Sequence, residues 1–128
     1  MSRVLVDTSV FIETERRNLQ ALERLDELMD EGVVPVSVVT VAELLSSPTL
    51  SEGRRRFYAE FFAAQVEILP ASTEGAFIGV AAARDSGGGL AADILIAGTA
   101  LEHGLRVVTF DAGLARLVGP SAELLRKS

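Results

Sequence analysis

Four acidic residues, Asp7, Glu43, Asp93 and Asp111, stand where apolar strand-like runs end or helix-like runs begin. Asp7 directly follows Val4-Leu5-Val6, and Asp111 comes three residues after Arg106-Val107-Val108. Glu43 lies a few residues past Val33-Val34-Pro35-Val36, and Asp93 opens the apolar run Ile94 to Leu101. In an open parallel α/β sheet the carboxyl ends of the strands share one edge, where ligand sites form. Carboxylates delivered there by separate segments repel: two like charges ~4 Å apart cost about 4 kcal/mol at an effective dielectric of 20. A cation relieves that repulsion, so the pattern predicts a metal site that is strained, partly protonated or disordered without its metal.

Composition restricts the chemistry further. The chain has 128 residues, 48% of them apolar, with no cysteine and one histidine. That length and apolar content suit one domain, residues 1–128, able to bury a sizeable core without staples. Absence of cysteine removes disulfides, thiolate zinc sites and a Cys nucleophile. With one imidazole, His103, any metal must be held by oxygen, which points to Mg²⁺ or Mn²⁺. The apolar stretch after Met1 is too short for a signal peptide, and no window approaches the ~20 apolar residues of a membrane span, so a cytoplasmic protein is expected. The formal net charge of −6 argues against a broadly basic nucleic-acid binder while leaving room for a local basic patch.

The elements that must position the acids follow from periodicity. Strands are predicted at Arg3 to Val6, Val33 to Val36, Val66 to Leu69 and Arg106 to Thr109, with a weaker one near Glu123 to Leu125. All four main runs are short and apolar, as for strands buried on both faces. Helices are predicted at Asn18 to Glu31, Val38 to Ser46, Ser51 to Ala64, Thr73 to Asp85 and Leu90 to His103, with a short one over Val10 to Glu15. Alternating strands and helices give a three-layer α/β/α sandwich around a parallel sheet.

Each acid also has an ordinary structural explanation. Asp7, in Asp7-Thr8-Ser9, and Asp111, ahead of Ala112-Gly113-Leu114, fit helix N-caps. Asp93 falls in a first helical turn, where the dipole favours a carboxylate by about 0.3–1 kcal/mol. Its all-apolar surroundings are not explained that way, and a buried acid in a cleft is a site candidate. Glu43 is flanked by apolar residues with no basic residue at helical spacing, which predicts a lone charge on a largely buried helix in need of a partner. Thr8, Ser9 and Thr109 add hydroxyls able to steady carboxylates or position a phosphate.

In order and context, the segments Val4-Leu5-Val6-Asp7-Thr8-Ser9-Val10-Phe11-Ile12, Val41-Ala42-Glu43-Leu44, Ala92-Asp93-Ile94-Leu95-Ile96-Ala97-Gly98-Thr99-Ala100 and Leu105-Arg106-Val107-Val108-Thr109-Phe110-Asp111 resemble the PIN-domain ribonucleases, in particular VapC-like toxins of toxin–antitoxin pairs. The likeness spans nearly the whole chain. Many relatives continue the last motif with an acid–Phe pair; Leu114-Ala115 stands there instead, leaving Asp111 as the fourth acid and no fifth. The resemblance implies a PIN fold and Mg²⁺- or Mn²⁺-dependent endonuclease activity on RNA, with Asp7, Glu43, Asp93 and Asp111 catalytic. Asp7 and Asp93 are then metal ligands, joined by Glu43 or Asp111. It further implies a small antitoxin docking near the active site, and a homodimer.

RNA must be gripped, and Arg54-Arg55-Arg56 beside Phe57 and Tyr58 is the most concentrated basic patch, with Arg16-Arg17 a second. A solvated helix face explains an Arg triplet equally well. Phe57, Phe61 and Phe62 could exceed what a core needs and leave an apolar groove for a partner helix. Gly87-Gly88-Gly89 is read as a flexible turn, since no Lys-Ser/Thr follows to complete a phosphate loop. An aspartyl phosphatase would need an acid where Ser9 stands, and a receiver domain a late sheet lysine, whereas Lys127 is the sole lysine. A PIN-like module without activity, binding RNA or protein, is the remaining alternative.

Overall fold

A computed structural model describes residues 3–127; Met1, Ser2 and Ser128, which the predicted 1–128 domain includes, lie outside the described residues. Its elements run β1 (Val4–Val6), α1 (Thr8–Glu15), α2 (Leu19–Glu31), β2 (Val34–Ser37), α3 (Val38–Leu45), α4 (Glu52–Gln65), β3 (Val66–Leu69), α5 (Thr73–Asp85), α6 (Ala91–Glu102), β4 (Arg106–Thr109), α7 (Ala112–Val118), a 3₁₀ turn (Gly119–Ser121) and β5 (Ala122–Leu124). Every ladder is parallel: β1 pairs with β4 and β4 with β5, while β2 pairs with β3 and packs beside β1. Register sets Val6 opposite Val108 and Ser37 opposite Leu69, so the strands end along one edge.

Side chains alternate across that sheet, and both faces are covered. Val4, Val6, Val36 and Val108 point into one core with Phe11, Leu44, Tyr58, Phe61 and Phe62; Leu5 and Val107 point into the other with Ile96, Ala97, Ala100 and Leu114. Period-two alternation of apolar residues on a single strand, as in Val4-Leu5-Val6, builds a three-layer α/β/α sandwich. The expectation of strands buried on both faces fails at β3, where Glu67 and Ile68 are exposed because no strand pairs on its outer side among the described residues.

Polar caps start most of the helices. Asn18, Ser51 and Ser72 each accept a hydrogen bond from a backbone N–H three residues on, at 3.1, 3.2 and 2.9 Å respectively. Ser37 caps α3 through the Val39 N–H, at 3.1 Å. Helices α5 and α6 meet through glycines: a Cβ at Gly98 would stand 1.9 Å from the Gly75 carbonyl oxygen, and one at Gly79 2.1 Å from that of Ile94. Only backbone against backbone fits there, and this contact anchors the helix that carries Asp93.

Phe61 and Phe62 are core residues, both set edge-on to Phe11 at 6.2 and 5.5 Å between ring centres. Of the three phenylalanines considered for a groove, only Phe57 is substantially exposed, and Arg54 lies over its ring at 4.3 Å.

Candidate metal centre

Asp7 emerges from the carboxyl end of β1 with its backbone N–H donating to the Val108 carbonyl oxygen at 3.1 Å. The residue is N-cap of α1, which begins at Thr8 rather than Val10, and the Thr8 and Ser9 hydroxyls serve carboxylates. Asp7 Oδ2 accepts from Ser9 Oγ and Thr109 Oγ1, both at 2.7 Å, and from the Ser9 N–H at 3.3 Å. Ser9 Oγ accepts from the Phe110 N–H and Thr109 Oγ1 from the Asp111 N–H, each at 2.9 Å. Two hydroxyls thus tie the turn after β4 to the turn after β1 across the shared edge. No buried side-chain oxygen among the described residues lacks a partner. Asp7 Oδ1, which receives none of these donors, therefore keeps some exposure to solvent.

Glu43 corrects an expectation. It is exposed, as is its neighbour Ala42, because α3 lies at the rim of the edge with one apolar side turned to solvent. Its partner is not a cation: Thr8 Oγ1 donates to Glu43 Oε1 at 2.7 Å and lies 2.9 Å from the fully buried Thr40 Oγ1. Thr40 went unnoticed in the sequence, although it sits three residues before Glu43 and so on the same helix face. Asp111 caps α7, accepting from the Gly113 N–H at 2.7 Å and the Leu114 N–H at 3.2 Å. A Cβ on Gly113 would press 3.1 Å from Asp111 Oδ1, so a side chain there would crowd this carboxylate.

Asp93 stands in the first turn of α6, half-buried. Burial pushes its carboxyl up from an ordinary 3.8 to about 6, with further upward pressure from Asp111, then Asp7, then Glu43. The helix dipole acts the other way, but its ~0.3–1 kcal/mol is less than one pKa unit. Desolvation and like charge win. The three other carboxylates are therefore all close enough to oppose ionisation of the fourth.

The donor set is oxygen throughout, and His103 sits at the C-cap of α6, the end away from Asp93. Such a set suits a hard divalent cation. Among the described residues no three carboxylate or imidazole side chains close into a ready coordination shell. Mg²⁺ retains several waters that bridge to carboxylates, so a looser arrangement still fits it.

Two arginines of the triplet are engaged in structural contacts. Arg54 makes a two-pronged contact with Glu15 at 2.9 and 2.8 Å, and Glu15 also accepts from Tyr58 at 2.6 Å. Arg55 donates to the carbonyl oxygens of Leu45, Ser47 and Leu50 and to Glu52, closing the loop between α3 and α4. Arg56 is exposed. Cations beside the acids come from other places: Arg116 shares a groove with Asp93, Asp111 and the 87–89 turn, while Arg16 and Lys127 line a second groove with Ser9 and Asp111.

Comparison with known proteins places this arrangement in context. Of solved structures, FitAcB from Neisseria gonorrhoeae is 29% identical, with 93% of this chain and 95% of that one aligned at a TM-score of 0.71. VapBC-5 from Mycobacterium tuberculosis, a member of the VapBC family of toxin–antitoxin systems, is 28% identical over 98% of this chain and 99% of that one, TM-score 0.63. A toxin–antitoxin complex from Klebsiella pneumoniae has 19% identity over 94% and 95% of the two chains and shares the fold at a TM-score of 0.76. No curated protein sequence matches. The PIN domain family model matches residues 4–120, nearly the whole of the sandwich and all four acids at its edge; the chain belongs to the PIN-domain family.

Proposed function

We infer that this chain is an endoribonuclease using Mg²⁺ or Mn²⁺, and the toxin of a toxin–antitoxin pair, with residues 1–128 as one domain. What supports it is membership of the PIN-domain family together with four carboxylates at one sheet edge, where Asp111, Asp7 and Glu43 all oppose ionisation of Asp93. Asp7 and Asp93 would hold the cation, with Glu43 and Asp111 completing the set. A bound divalent cation supplies charge neutralisation at a phosphodiester and a lower pKa for the attacking water.

The chain's own groups do the rest. Ser9 and Thr109 lock Asp7 through Oδ2 and leave Oδ1 without a donor, Thr8 holds Glu43, and the α7 N-terminus holds Asp111. Asp93, at about 6, is mostly ionised near neutral pH, and a cation would relieve the repulsion it then feels. Support for a small antitoxin as partner comes from VapBC-5, described as part of a toxin–antitoxin system. A homodimer is the assembly proposed with it.

RNA cleavage is tested with single-stranded RNA, Mg²⁺ or Mn²⁺, and chelator controls. Wild-type chain should cut internally, whereas Asp7→Asn and Asp93→Asn should each lose at least about 100-fold, as for groups that act on the transition state. Cleavage by both variants at the wild-type rate, or cleavage in chelator, contradicts the reading. A folded wild-type chain that binds RNA and cuts none favours the silent binding module instead.

A further inference from the structure

Arg116 lies on α7, exposed, in the open groove that holds Asp93, Asp111 and the 87–89 turn. None of the ion pairs among the described residues involves it. A basic residue in a last helical turn suits the helix dipole. The dipole accounts for the charge, but not for a guanidinium left unpaired in the groove of two carboxylates, within a chain of net charge −6. An unpaired Arg with a fork of donors is suited to an anion with paired oxygens, such as a phosphate.

Asp111 also lines the second groove, so the two meet at the acidic edge. On that far side Arg16 and Lys127 both reach the buried Glu13, at 2.9 and 3.7 Å. Two cations against one carboxylate leave a net charge of +1. Positive charge thus stands in both grooves, which share Asp111.

Resting on the ribonuclease reading above, we propose that a single RNA strand crosses the acidic edge from groove to groove. Arg116 holds a phosphate on one side of the cleaved bond, and the Arg16–Lys127 pair holds one on the other. The triplet 54–56 is not part of this track. The glycine turn at 87–89 presents no side chains beside Arg116, which lets a sugar–phosphate backbone approach closely. Gly87 and Gly88 adopt φ of 91° and 104°, a conformation most side chains disfavour.

Salt dependence of binding separates a phosphate contact from a structural role. Affinity of the full chain for a labelled 12-nucleotide single-stranded RNA is measured in Ca²⁺ across a salt series, with Mn²⁺ affinity measured alongside. Each phosphate contact on a single strand contributes about 0.7 to the slope of log affinity against log salt, or about fivefold in affinity at 0.1 M salt. Arg116→Ala should lose about that much in both, Arg116→Lys should keep the slope, and Lys127→Ala should lower it in the same direction. Arg106→Ala, at the opposite end of β4, should match wild type. Mn²⁺ affinity should be unchanged in all four. An unchanged RNA slope in Arg116→Ala overturns the track, and so does an equal loss of Mn²⁺ and RNA affinity. An unchanged slope in Lys127→Ala overturns its far flank. A wild-type chain that binds no RNA at all overturns this proposal and the ribonuclease reading together.

Discussion

Replacing Asp93 by Asn should stabilise the metal-free fold at neutral pH and leave it unchanged in acid. The carboxyl titrates at about 6 in the folded chain against an ordinary 3.8. Two pKa units correspond to about 3 kcal/mol. Asp93 is only half-buried, and solvent screens such groups, so about 1 kcal/mol is the expected effect. Because its folded pKa is the higher one, the folded state holds the proton more tightly. That stabilisation is complete below about pH 3.8 and lost as pH rises through about 6. Asn carries no charge at either pH. Thermal melting of wild type and Asp93→Asn in chelator should therefore coincide near pH 4 and differ by about 3–4 °C at pH 7.5, the variant higher. Saturating Mg²⁺ should raise the wild-type melting temperature and remove or reverse the gap, because binding stabilises only the chain with a complete site. A difference that does not change with pH, or a variant less stable at pH 7.5 in chelator, would refute the electrostatic reasoning.

Four other substitutions probe the supports of the site and of the fold. Thr109→Val keeps the shape but removes one of three donors to Asp7 Oδ2 and strands the Asp111 N–H; it should cost about 1–3 kcal/mol in denaturant melts and weaken Mn²⁺ binding about 10–100-fold. Gly98→Ala drives a Cβ against the Gly75 carbonyl and should cost about 3 kcal/mol or more, whereas Gly53→Ala, with nothing within 4 Å, should stabilise by about 0.4–1 kcal/mol. Arg55→Ala abandons three loop carbonyls and should lose about 1–3 kcal/mol of stability with RNA salt slope and Mn²⁺ affinity unchanged.

Much of the architecture is legible along the chain because local pattern and tertiary role agree. Val4-Leu5-Val6 and Arg106-Val107-Val108-Thr109 are strand-like by composition, and the sheet needs them buried on both faces. Asp93 stands out because nothing ionisable surrounds it, and burial and like charge do perturb its titration. Glu43 misleads for a physical reason. Apolar neighbours imply burial only if the helix is covered, and α3 sits at an open rim where Val38 remains 40% exposed. Partners distant in sequence are the other gap. Arg54 looks like a free cation until Glu15, 39 residues away, is brought against it. Arg116 is unremarkable in a string of letters, since a basic residue in a last turn is ordinary; its groove exists only once α6 and α7 pack together.

Calorimetric titration of the full chain with Mn²⁺ at pH 7.5 tests the central claim most directly. Wild type should bind with little proton release at pH 7.5, where Asp93 is already ionised, and with more at pH 5.5, where it is mostly protonated; Asp7→Asn and Asp93→Asn should each weaken binding at least about tenfold. Equal Mn²⁺ affinity in all three chains, or no binding by the folded wild type, would contradict a shared carboxylate centre.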